Sequence, residues 1–164
     1  MTLGRTGIAG AVAAVVLIWA LLGGALLLLL VALNVASVLG GVLWRPFPGD
    51  FELTEMGVAV AAFSFLPFAQ LTGQNVTADI FTSRAGPRMV ALMSTLAAVV
   101  ATLFAGLLLW RMSLGLLDQR TYGTTTTILQ LPIWWAFAPI LISLVLLAIA
   151  SLVSLVEALR AVRG

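Results

Sequence analysis

Thr6 to Trp44 reads TGIAGAVAAVVLIWALLGGALLLLLVALNVASVLGGVLW, thirty-nine residues without a charge. As one straight helix it would run about 58 Å, nearly twice a hydrocarbon core of about 30 Å. Two spans of about 17 residues, turning at Gly23-Gly24, are the alternative. The sequence around that pair offers no polar turn residue, and an unsatisfied turn at the membrane face is costly. The reading favours one tilted helix, followed by a surface segment from about Asn34 to Trp44. Arg5 ahead of an apolar run resembles a signal peptide, but the run exceeds the usual apolar region of one, so the first helix is expected to be retained.

Charges punctuate the rest of the chain in the same way. RPFPGDFELTE (Arg45–Glu55) closes the first stretch, and TGQNVTADIFTSRAGPR (Thr72–Arg88) closes a second. RMSLGLLDQR (Arg111–Arg120) closes a third, and the polar TYGTTTTILQ (Thr121–Gln130) leads into a fourth. Each intervening run is long enough to cross a bilayer. The fold class is therefore an all-α integral membrane protein, a single domain over residues 1–164. It has four transmembrane helices, short loops and room for interfacial helical segments, with spans near 10–33, 57–77, 89–110 and 132–156.

Composition supports that class. Of 164 residues 62% are hydrophobic and 9% charged, against about 25% charged in soluble domains. Mean hydropathy is +1.19. A net charge of +2, carried by arginines without a lysine, is too small for a nucleic-acid surface. The chain has no cysteine and no histidine. Thiolate chemistry, iron–sulfur clusters, Cys/His zinc sites and the usual haem ligand are thereby excluded.

Orientation follows from the arginines. With the N-terminus inside, the inner segments hold Arg5, Arg84, Arg88, Arg160 and Arg163. The outer loops hold Arg45, Arg111 and Arg120, diluted by Asp50, Glu52, Glu55 and Asp118. Trp44, Trp110, Trp134 and Trp135 then fall near one interface as an aromatic belt. Both termini are expected in the cytoplasm.

The expected spans contain no ionisable residue, whereas coupled carriers keep such groups at membrane depth. Asn34, Ser64, Gln70, Ser94, Thr102, Ser143, Ser151 and Ser154 read as hydrogen-bonding partners between helices or to their own backbone. Pro67 and Pro139 interrupt the second and fourth spans and read as packing kinks. Pro132 suits the first turn of the last helix. Thr54 could cap the second helix, whose positive end would stabilise the acidic residues beside it. Asp79 with Thr77 and Asn75 is a poor cage for a hard cation, because it supplies one carboxylate.

The order of parts carries a resemblance. FELTE (Phe51–Glu55) precedes the second helix, GQNVTADIF (Gly73–Phe81) follows it, and LQLPIWWAFAP (Leu129–Pro139) opens the fourth. Nearly the whole chain resembles the small membrane subunit, or small permease, of TRAP transporters, the tripartite ATP-independent periplasmic family. The resemblance implies a non-catalytic scaffold subunit that pairs with a large membrane subunit in the inner membrane of a bacterium. It implies sodium-coupled uptake of an organic acid delivered by a periplasmic substrate-binding protein. Sodium ions would sit on the large subunit, and this chain would hold no cofactor or metal. Membrane lipid is a further partner. Glu52, Glu55, Asp79, Arg84, Arg88, Trp134 and Trp135 become candidate subunit or interface contacts. Thr72–Arg88 is expected to be an inner-face loop with a short interfacial helix around residues 78–82. The alternatives are a self-sufficient small transporter acting as a homo-oligomer, and a membrane enzyme. The enzyme would need carboxylates that this topology puts on opposite faces.

Overall fold

A computed structural model describes residues 7–73 and 87–163. It contains four helices long and apolar enough to cross a membrane: α1 (Ile8–Leu43), α2 (Asp50–Thr72), α3 (Pro87–Tyr122) and α4 (Trp134–Arg163). There is no strand among the described residues. An isolated bridge pairs Thr125 with Pro132 in the α3–α4 loop.

The helices run past the expected spans in several places, each for a local reason. α1 is one 36-residue helix through Gly23-Gly24. The segment from Asn34, expected on the surface, stays helical because its polar side chains face α2 rather than water. Arg45-Pro46-Phe47-Pro48 then stops it, since a residue before proline disfavours the helical region. α2 begins at Asp50, earlier than expected, on a left-handed Gly49 at φ 80°. It ends at Thr72 on a left-handed Gly73 rather than continuing to residue 77. α3 continues beyond Trp110 to Tyr122, because residues 111–122 contain no proline and keep an apolar face towards α4. α4 starts at Trp134. Pro132, expected in its first turn, instead forms the bridge, and its carbonyl accepts the Trp135 N–H at 3.1 Å. The interfacial helix expected at residues 78–82 lies outside the described residues.

The helices pack in the order α1–α2–α4–α3, and α1 also touches α4 lightly. α4 is the central element. One core cluster joins Ala13 and Val16 of α1, Leu71 of α2 and Ala150 of α4. A second joins Ala105 of α3 to Ile140, Leu144 and Leu147 of α4, with Phe63 of α2 against them.

The α1–α2 seam has a strict period. On α1 the buried positions include Ala13, Val16, Ala20, Gly23, Leu30 and Ser37, the alternating three-and-four spacing of a left-handed coiled coil. Val16, Gly23, Leu30 and Ser37, seven apart, meet Leu71, Ser64, Gly57 and Asp50, also seven apart and running the other way. Glycine is required twice in this series. A Cβ on Gly23 would lie 2.7 Å from Cβ of Ser64, and one on Gly57 would lie 2.7 Å from Cδ1 of Leu30. Small residues at a membrane helix interface allow close backbone approach, the main source of attraction where lipid is as apolar as leucine.

Candidate subunit contact surface

At one end of the bundle α1 and α3 finish while α2 and α4 begin, and the polar chemistry of the described residues gathers there. Three ties hold this turn end together. The Ser37 hydroxyl donates to Oδ2 of Asp50 and accepts the N–H of Phe47 at 3.1 Å, so one buried hydroxyl fixes α1, α2 and their connection. The Asn34 amide donates to the Leu30 carbonyl and to Oγ1 of Thr54, each at 2.8 Å. Thr54 in turn donates to the Asp50 carbonyl at 2.7 Å. Thr54 therefore bridges helices from within α2; the N-cap position belongs to Gly49.

The third tie is the longest in sequence. Glu52 accepts the backbone N–H of Ile128 on Oε1 at 2.6 Å and that of Leu129 on Oε2 at 2.9 Å. It lies in the first turn of α2, ahead of the uncharged stretch of residues 56–72. Partial burial pushes its carboxyl up. Hydrogen bonds from Leu129 and Ile128, with further ones from Thr126 and Thr127, outweigh burial and hold it below the ordinary carboxylate value. Asp50 and Glu52 also sit at the positive end of the α2 dipole.

The other candidate residues are dispersed. Glu55 is exposed on α2. Trp134 and Trp135 open α4 with their rings edge to face, centroids 6.3 Å apart. The Arg120 guanidinium of α3 lies 5.8 Å from the Trp134 ring centre, within cation–π range. Trp135, 53% exposed, borders an apolar groove of about 580 Å³ between α1, α2 and α4, whose walls include Leu26, Leu33, Met56 and Leu131. A groove so lined offers a polar solute almost nothing to bond. Arg88 lies in the first turn of α3, its side chain outside the described residues. Asp79, Arg84, Thr77 and Asn75 also lie outside them. The structure thus gathers Trp134 and Trp135 with Glu52 and its loop at one end, and does not join Glu55 to that group.

Deeper in the bundle, polar side chains are spent on the fold. Ser64, Thr102, Ser143, Ser151 and Ser154 each donate to a carbonyl three or four residues back in their own helix. The Trp19 indole donates to Ser143 Oγ at 2.8 Å, tying α1 to α4. Trp19 and Ser37 escape a reading that looks for charges. Spacing marks Ser37, which stands seven residues after Leu30 and fourteen after Gly23, but not Trp19, which lies off that series and faces α4. Among the described residues, no group of three His, Cys, Asp or Glu side chains could hold a metal ion.

A family model described as the DctQ component of tripartite ATP-independent periplasmic transporters matches residues 27–161. No curated protein and no solved structure matches the chain.

Proposed function

The chain belongs to the DctQ component family of the tripartite ATP-independent periplasmic transporters, and on that premise we propose that it is the non-catalytic scaffold subunit of such a transporter. It is a multi-pass membrane protein. In the proposed assembly it pairs with a large membrane subunit in a bacterial inner membrane. The large subunit carries the sodium ions and an organic acid, which a soluble periplasmic binding protein delivers. Both termini face the cytoplasm, and the turn end with Glu52, Trp134 and Trp135 faces the periplasm.

The observation that carries this reading is the family match across residues 27–161. The polar side chains support it, because the seam residues Asn34, Ser37 and Thr54 and the Trp19–Ser143 pair are spent on holding helices in register. Such bonds suit a fixed body against which another moves. The test is to co-express the chain with the large subunit and purify the pair, then reconstitute the chain alone and the pair in liposomes under a sodium gradient with loaded binding protein. Uptake should require the pair. Uptake by this chain alone would overturn the reading. Reporter fusions at Gly164 and near Asp118 should report opposite sides of the membrane, and a shared side would break the four-span arrangement.

A further inference from the structure

We propose that the groove between α1, α2 and α4 binds a phospholipid of the leaflet at the turn end, with an acyl chain along its walls and the phosphate at Arg120. Such a site needs only the membrane-spanning helices, and it exists with or without a large subunit.

The groove exists because α1 and α4 meet near one end of the bundle and part towards the other. Far from the turn end, Ala13 and Val16 of α1 pack with Ala150 of α4, and the Trp19 indole bonds Ser143. Nearer the turn end, Leu26 and Leu33 of α1 line one side and Trp135 and Ala136 of α4 another, with Met56 and Val60 of α2 between them. Closing the gap would swing α1 around α2, out of the register that seats Leu30 on Gly57 and Ser37 on Asp50. The space therefore stays open and has to be filled from outside, since an unfilled gap forfeits dispersion contacts along its whole lining.

Chemistry and depth name the filling. Leu, Met, Val, Ala and Gly line the groove with one Trp, so a water molecule would miss the two to four polar partners it needs. The volume of about 580 Å³ falls within the range of about 300–1,000 Å³ usual for sites that hold a small molecule. Leu53, at the upper end, follows Glu52 directly, and Val60 lies seven residues further along α2, about 10 Å deeper. Half of a hydrocarbon core is about 15 Å, so the groove stays within one leaflet. An acyl chain hanging from that leaflet's surface is the apolar, unbranched material present at this depth. The lip suits the polar end of the same molecule. Trp135 borders the groove, and tryptophan rings favour headgroup level. The neighbouring Trp134 ring lies 6.3 Å from it and holds the Arg120 guanidinium 5.8 Å from its own centre. Arg120 is exposed and makes no ion pair among the described residues. Its N–H groups are left for phosphate oxygens, which a guanidinium bonds in pairs.

The test purifies the full chain in mild detergent, washes it, and counts retained phospholipid as organic phosphate per chain. A phosphatidylcholine with a photoreactive group on one acyl chain is then exchanged in, and its attachment sites are read by peptide mass spectrometry. Wild type should keep phosphate through the wash and take the label at residues 53–60 and 131–136 ahead of the α1 flank at Leu28. Leu33→Trp fills the groove and should cut retained phosphate about fivefold or more, the lower end of what overfilling an apolar site costs. Leu28→Trp makes the same change at a side chain 73% exposed and outside the groove, and should leave retention unchanged. Arg120→Gln should lower retention of phosphatidylcholine and spare that of an uncharged diacylglycerol; unchanged phosphatidylcholine would overturn the phosphate contact. Loss of all phosphate from wild type, or labelling that follows exposure instead of the groove, would leave only surrounding lipid and overturn the proposal. Equal losses in the two tryptophan variants would do the same, and wild-type labelling decides the matter if Leu33→Trp fails to fold. In the pair co-purified with the large subunit, cross-links from the groove to that protein in place of lipid would also overturn it, by making the groove a subunit contact. Failure of that pair to form would count against the scaffold reading and leave the lipid result standing.

Discussion

The two outer helices of the row are held by opposite means. α1 meets α2 through small residues in a seven-residue register, with hydrogen bonds at its turn end. α3 meets α4 through bulky apolar side chains around Ala105 and Leu144, and it shows Leu96, Val100, Leu103 and Leu107 outward. Both helices have 36 residues. The difference lies in what can specify a register where the solvent is as greasy as the side chains. Leucine against leucine gains little over leucine against lipid, and tolerates sliding. A glycine under a serine, or an asparagine opposite a threonine, gains only in one alignment.

The largest effect should come from filling the tight seam. Gly23→Leu places its Cβ 2.7 Å from that of Ser64, and overpacking of this kind costs about 1–3 kcal/mol. Equilibrium unfolding in mixed micelles should show the loss, and wild-type stability would break the claim that close approach fixes α1. Ser37→Ala comes next. It strips one acceptor from Phe47 and one donor from Asp50, and should cost about 0.5–1.5 kcal/mol in the same assay. Trp19→Phe keeps the ring and deletes the bond to Ser143, so a loss near the membrane average of about 0.6 kcal/mol is expected. Leu103→Ala, at a side chain 69% exposed, should leave the isolated chain within about 0.5 kcal/mol of wild type. A cost equal to that of Ser37→Ala would erase the contrast between the two helices.

The smallest effect is local. The Glu52 carboxyl is held below its ordinary value of 4.5, so its folded pKa is depressed relative to the unfolded chain. Its contribution is fully present above that ordinary value and is lost as pH falls through the lower folded value. Amide exchange at Ile128 and Leu129, corrected for intrinsic rates between about pH 6 and about pH 3, should show opening only in the acidic window. Glu52→Gln should abolish the pH step without shifting global unfolding.

Much of the architecture was legible because charge is so rare in this chain. Arg45, Arg88, Arg111 and Arg120 mark where apolar runs stop, and four helices follow. Helix ends were less legible because polarity and helicity end at different places. The segment from Asn34 to Trp44 reads as a surface stretch, yet it is helical to Leu43, with Asn34 making the bonds between helices and to its own backbone that its residue type suggests and Ser37 pointing at α2. Arg111 reads as a loop, yet α3 continues to Tyr122. The seam was hidden for a related reason. When nearly every position on α1 is apolar, hydrophobicity marks no face, and the buried stripe shows only in size, as Ala13, Ala20 and Gly23. At the candidate surface, Glu52 and the tryptophan pair could be picked out by residue type. The partner of Glu52 could not, because it is the backbone of Ile128 and Leu129, and a backbone N–H is available at every residue except proline.

The unbroken α1 has a consequence for the bilayer itself. With 36 residues it is about 54 Å long, and α2, with 23 residues, is about 34 Å. The uncharged part of α2, residues 56–72, is about 26 Å long and fits upright within a core of about 30 Å, whereas α1 would have to lean about 56° to fit within it, beyond the usual limit of about 40°. The seven-residue register makes α2 share any lean of α1, since the two cannot part without separating Gly23 from Ser64 and Ser37 from Asp50. A shared lean of about 56° would cut the reach of that uncharged part of α2 to about 14 Å. Hydrophobic mismatch is therefore built into the subunit, and the surrounding lipid must deform to meet it. Its apolar flank, continuing to Val42, Leu43 and Trp44, favours a locally thickened membrane. At fractions of a kcal/mol per Å, that preference gives the subunit a bias towards bilayers of longer acyl chains.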